Sequence, residues 1–127
     1  MLRRAVYSFI IITTSSTTIA IWGWTIMRRI ATITRLKPDA IAEYKKLHDE
    51  IWDEVVEAAH QANLRNYTIF CSGDYLFSYY EYIGDSYELD MQKKNSIPIV
   101  QLWQKTTGVC LMESPKIVMD EIWHGNF

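Results

Sequence analysis

The stretch from Pro38 to Asn63, PDAIAEYKKLHDEIWDEVVEAAHQAN, decides how the chain folds. Wound at about 100° per residue, its apolar residues gather on one side. Ile41, Tyr44, Ile51, Val55, Ala58, Ala59 and Ala62 share that face, and Lys46, Glu50, Asp53, Glu54 and Glu57 take the other. The pattern predicts one long amphipathic helix over 38–63. His48 falls in the middle of the apolar face, four residues after Tyr44 and four before Trp52. Side chains at i and i+4 are helix neighbours, so Tyr44, His48 and Trp52 are expected to form an axial row. An ordinary core helix places Leu or Val at position 48. A histidine there is either a core residue with a satisfied hydrogen bond or a group with chemistry to do.

The sequence around this helix has strand periodicity. RIATITRL, Arg29 to Leu36, alternates Ile30, Thr32 and Thr34 against Ala31 and Ile33, a half-buried strand. Lys37-Pro38-Asp39 is a helix entry, with proline tolerated in a first turn and an acid suited to the dipole. After the helix, Leu64 to Cys71 reads as a second strand, with Tyr67, Ile69 and Cys71 facing away from Asn66, Thr68 and Phe70. Ser72-Gly73-Asp74 is a hairpin turn into a third strand, Tyr75 to Ile83. Both faces of that strand are apolar or aromatic, so both need cover, and a second copy of the chain is the economical cover for the outer one. Glu81 is the carboxylate that sits among those aromatics. Ser86 is placed to cap a second helical region, Pro98 to restart it through Val100, Leu102 and Trp103, and Gly108 to end it. Lys116 to Trp123 reads as the last strand. The order is βαββαβ, an α+β ferredoxin-like arrangement.

Composition sets the limits. The chain has 127 residues, 49% apolar, 22% charged and 13% aromatic, enough for one modest core. A net charge of −2 without a run of like charges argues against nucleic acid and anionic membrane surfaces. Cys71 and Cys110 have no metal or redox spacing and read as reduced thiols in a cytoplasmic protein.

Residues 1–27 stand apart. Arg3 and Arg4 precede an uncharged stretch, Ala5 to Met27, long enough to span a bilayer but with TTSSTT near its centre. Three readings stay open: an export or anchor segment, a folded addition, or an extension upstream of a start at Met27. A membrane is a partner only under the first. Residues 28–127 form the functional domain. Without Arg3 and Arg4, 11 basic residues face 15 acidic ones, a charge of −4.

Four ordered segments resemble the L-rhamnose mutarotase family. KPDAIAEYKKLHDEIWDEV carries that family's Y-x-x-x-H-x-x-I-W motif at Tyr44, His48, Ile51 and Trp52. RNYTIF at Arg65 to Phe70 and YLFSYYEYIGDSYELDM at Tyr75 to Met91 agree as well, and MDEIWH at Met119 to His124 is similar to the family's M-E-E-V-F-H ending. The resemblance runs from Arg28 to His124. It implies a dimer whose sheets pack into a shared α/β barrel. It also implies exchange of the α and β anomers of L-rhamnose or a related aldose, with no metal or organic cofactor. The chain itself has no G-x-G-x-x-G, P-loop or H-E-x-x-H.

Opening a sugar ring needs one proton given and one taken, and histidine serves both roles near neutrality. His48 is the candidate proton donor. The resemblance makes Tyr44, Tyr67 and Trp103 substrate contacts. Tyrosine hydroxyls bond sugar hydroxyls, and an indole face suits sugar C–H groups. The family has a Trp-Trp pair where this chain has Trp103-Gln104, so Gln104 replaces one apolar wall with an amide and leaves the preferred sugar open. The segment Gly108 to Lys116 is also short for the family. His60 reads as a surface residue, His124 as a strand end or pocket wall, and Glu43, Asp49 and Asp53 as solvated acids. Two other readings share the fold: a dimeric monooxygenase and a non-catalytic sugar-binding dimer.

Overall fold

The computed structural model describes the backbone of residues 5–14 and 17–127 and the side chains of residues 27–127. Strands β1 (Ala5–Thr14) and β2 (Thr17–Ile26) pair antiparallel in a two-stranded sheet of their own. Arg3, Arg4 and the two residues 15 and 16 in TTSSTT lie outside the described residues. No helix among the described residues is long and apolar enough to cross a membrane.

The second sheet carries the expected α+β arrangement. Its strands are β3 (Arg28–Arg35), β4 (Leu64–Ser72), β5 (Tyr75–Tyr82) and β6 (Ile117–Met119), in the order β4-β5-β3-β6 and antiparallel throughout. Helices α1 (Ile41–Asp49), α2 (Asp53–Gln61), α3 (Tyr87–Asn95) and α4 (Pro98–Gly108) fill the two crossovers. The helices cover one face, for which the strand pattern is responsible. Ile30, Thr32 and Thr34 are buried along β3, as is Leu36 just past its end, while Ala31 and Ile33 are only half-buried. On β5, Leu76, Ser78 and Tyr82 are buried on the same inner face.

Two apolar clusters hold the layers together. Ile30, Leu64 and Tyr82 pack with Ala59, Tyr80, Tyr87 and Met91 at one end. Leu36, Leu76 and Cys110 pack with Ile41, Tyr44, Leu47 and Ile69 at the other. Between them the inner face carries only small polar side chains, Thr32, Thr34 and Ser78, all buried. A short hydroxyl there occupies less depth than the Leu or Ile that closes each end.

The single long helix is corrected to two. α1 stops at Asp49 and α2 starts at Asp53, with Trp52 extended at φ −70°, ψ 135°. Asp49 and Glu50 sit at the negative end of α1, whereas Asp53 and Glu54 occupy the favourable first turn of α2, so the charges support a restart. The apolar face survives, with Val55, Ala58 and Ala62 buried. The last strand is also shorter than expected, three exposed residues instead of Lys116 to Trp123. Past Met119 the chain leaves the sheet edge, and the Glu121 carboxylate lies 2.6 Å from the Arg29 guanidinium. The Gly73-Asp74 turn joins β4 to β5, with Gly73 at φ 58°, where a side chain would be strained. Pro98 stands at the start of α4 as expected. Ser86 occupies the N-cap position of α3, although its side chain makes no capping bond.

Candidate active site

α1 places Tyr44 and His48 one turn apart above the inner face, their rings 4.3 Å apart. The His48 Nδ1 lies 2.9 Å from the Tyr44 carbonyl oxygen. A carbonyl only accepts, so Nδ1 carries the hydrogen and Nε2 is left as the position that gains or loses a proton. The expected row does not continue to Trp52. Its extended backbone turns it instead onto Trp103 of α4, ring centres 5.2 Å apart and edge to face. Trp103 meets His48 in the same way, also at 5.2 Å. The three form one cluster that closes through α4 rather than along one helix.

The sheet supplies the opposite wall. Tyr67 of β4 stacks on Tyr80 of β5 with ring centres 5.0 Å apart and planes 19° from parallel. The Tyr80 hydroxyl is hydrogen-bonded to the Tyr87 hydroxyl at the start of α3. Arg28 lies 4.9 Å over the Tyr87 ring. Burial drives the Tyr44 hydroxyl well above the ordinary tyrosine range, and the nearby Tyr67 adds to the shift. Burial also raises Tyr67, with a Ser78 hydrogen bond pulling the other way. Tyr80 rises through burial and then through its bond to Tyr87. All three hydroxyls keep their protons at neutral pH and so can donate.

The structure therefore brings together Tyr44, His48, Tyr67 and Trp103 around the small polar floor. It does not bring Gln104 with them. That side chain is exposed and donates to the Asn95 Oδ1 at 2.9 Å. Trp52, Tyr80 and Tyr87 belong to the cluster although they are absent from the expected substrate contacts. Tyr80 is foreshadowed by its alternation with Leu76, Ser78 and Tyr82. Tyr87 gives no such signal, because α3 brings it over from a loop.

His124 and Glu81 lie on the other side of the sheet. A cavity of about 240 Å³ there is lined by Arg29, Ala31, Tyr79, Trp123 and His124 among others. Cys71 is exposed, Cys110 is buried, and both are free. Among the described residues no group of three or more His, Cys, Asp or Glu side chains is placed to hold a metal.

The sequence model of the L-rhamnose mutarotase family matches residues 29–125. An L-rhamnose mutarotase of Listeria monocytogenes is 37% identical over 91 residues, covering 70% of this chain and 85% of that protein. The crystal structure of an L-rhamnose mutarotase from Formosa agariphila superposes with a TM-score of 0.63 at 21% identity, over 77% of this chain and 98% of that one. Tetracenomycin F2 cyclase from Streptomyces glaucescens superposes at 0.53 and 16% identity, over 77% and 98%, a likeness of fold alone. The family match and the Listeria relative together establish that the chain belongs to the L-rhamnose mutarotase family.

Proposed function

We propose that the protein interconverts the α and β anomers of L-rhamnose or a closely related aldose, with His48 as the proton donor. The observation that carries this reading is the bond that ties Nδ1 of His48 to the Tyr44 carbonyl, leaving Nε2 as the exchange position within an aromatic cluster. Protonated His48 gives its Nε2 proton to the ring oxygen as the C1–O5 bond breaks. The anomeric hydroxyl gives its proton to solvent water and C1 becomes an aldehyde. After rotation about C1–C2, the steps reverse and His48 recovers the proton. Tyr44 and Tyr67, protonated at neutral pH as tyrosines are and shifted further up by desolvation, donate to sugar hydroxyls. Trp103 presents an apolar ring to the C–H groups and to a C5 methyl. Gln104, engaged by Asn95, supplies no second wall, which relaxes selection at that edge.

The working unit is residues 28–127, assembled as a homodimer through the outer sheet face. Phe70 is 61% exposed and Ile117 56% exposed on that face, beside half-buried Ile33 and Phe77. Reduced Cys71 and Cys110 suit the cytoplasm. The test is saturation-transfer NMR of L-rhamnose against other aldoses. The reading expects transfer between anomeric protons that grows in proportion to added protein. Exchange no faster than in buffer, for every aldose tried, would overturn it.

A further inference from the structure

Leu64 and Tyr67 both turn to the helical side of the sheet, an odd spacing that regular alternation forbids. Arg65 opposes Glu81 and Thr68 opposes Tyr79, so Asn66 and Tyr67 together face the single residue Tyr80. This is a β-bulge, with Asn66 in the left-handed region at φ 52°. In an unbroken strand Tyr67 would share the outer face with Arg65. The bulge moves it inward, onto Tyr80 and toward Tyr44.

Asn66 is held in that conformation from the outer face. Its side-chain amide donates to the Glu81 Oε1, and the Tyr79 hydroxyl donates to Oε2 at 3.2 Å. Glu81 is a carboxylate only 6% exposed. Its two cross-strand neighbours have other contacts: Arg29 pairs with Glu121, and Arg65 donates to the His60 and Leu64 carbonyls. The carboxylate is thus spent on the bulge.

We propose that Glu81 is a positioning residue for the sugar site: by clasping Asn66 it sets the bulge that turns Tyr67 through the sheet into the pocket. This rests on the reading of Tyr67 as a sugar contact. Glu81 touches no sugar itself and acts from the opposite face.

The test combines Glu81→Leu with Tyr67→Phe, read by anomer-exchange kinetics and by the NOE between the Tyr67 and Tyr80 rings. In Glu81→Leu the NOE fades and KM rises about tenfold, the size of one lost hydrogen bond, while kcat moves less. Tyr67→Phe then adds less than about twofold in the Glu81→Leu background, because the two act through one group. Equal effects of Tyr67→Phe in both backgrounds, or an unchanged NOE, would overturn the proposal. Should Glu81→Leu fail to fold, Asn66 variants decide the matter. Asn66→Gly, which tolerates positive φ, keeps a KM nearer wild type than Asn66→Val, which does not. Equal KM values in those two contradict the proposal. A wild-type protein that exchanges no anomers would defeat the functional reading, while the NOE still reports whether Glu81 places Tyr67.

Discussion

His48 resembles neither a packed core residue nor a surface one. It is half-buried and edge to face with Trp103, and its Nδ1 bonds a carbonyl of its own helix. That carbonyl also serves the helical ladder, so removing the imidazole strands no partner. His48→Ala is therefore expected to cost about 1 kcal/mol of stability or less, read by thermal or denaturant melts. A loss of several kcal/mol would assign it to the core. Nitrogen-15 NMR of the neutral ring should show the hydrogen on Nδ1, and the opposite tautomer would remove the basis for using Nε2. At this scale the adjacency of Tyr44 and His48 was legible, since a histidine on an apolar face flanked by Tyr44 is visible without a structure. It did not tell that Trp52 turns to Trp103, because the indole contact depends on α4, brought in from distant sequence. Nor did it show that Gln104 points to Asn95.

Among the elements, the order of strands and helices along residues 28–127 followed from alternation, but the interruptions, the short β6 and the paired β1 and β2 did not. Hydrophobic periodicity runs through Ile51 into Val55 as though the helix were continuous, and only the extended Trp52 backbone divides it. The bulge at Asn66 is equally silent, since period-two counting has no place for an extra residue. One joint between elements is open to direct test. The Asp90 carboxylate of α3 accepts the Tyr82 hydroxyl at 2.5 Å and the Asn63 amide at 3.0 Å, tying α3 to β5 and to the turn after α2. These bonds lower the Asp90 pKa below its usual value. A depressed carboxyl pKa contributes stability that is present above the unfolded value of about 3.9 and is lost as pH falls through the folded one. Acid melts of Asp90→Asn should lose this part of the pH dependence, and an unchanged acid limb would contradict the assignment. Gly84 abuts the same joint, and a Cβ there would lie 2.7 Å from both Asn63 Nδ2 and Asp90 Oδ2. Gly84→Ala should destabilise by about 1–3 kcal/mol, the range for overpacking, and a neutral melt would show that the joint yields. The opposite pH limb belongs to the tyrosines. Burial raises Tyr44, Tyr67, Tyr79, Tyr80 and Tyr82, the last to about 12. Their contribution is complete below the unfolded tyrosine value of about 10 and is lost as pH rises through the folded values. Phenolate absorbance should therefore appear together with unfolding, and a full titration near pH 10 in a folded protein would contradict it.

For the whole molecule, one sheet has one covered face. The inner face holds the cluster of His48, and the outer face leaves Phe70 and Ile117 in water. A protein starting at Met27 is expected to fold and dimerise as well as the full chain, because β3 begins the four-stranded sheet and β1 and β2 pair only in their own. Sizing and melts of both forms check this, and Phe70→Lys should yield monomers. An unfolded Met27 form, or a Phe70→Lys protein still dimeric, would contradict it. The division of labour between the two faces was half visible beforehand: the aromatic outer residues of β5 raised the expectation of a cover for that face, but period-two counting gave no sign that Glu81 clasps Asn66 there. The most direct test of the whole account compares the anomer exchange of L-rhamnose by wild type and by folded His48→Ala, measured side by side at equal protein concentration. The account predicts fast transfer with wild type and a rate lower by about a hundredfold to ten-thousandfold in the variant. Equal rates in the two proteins would contradict it.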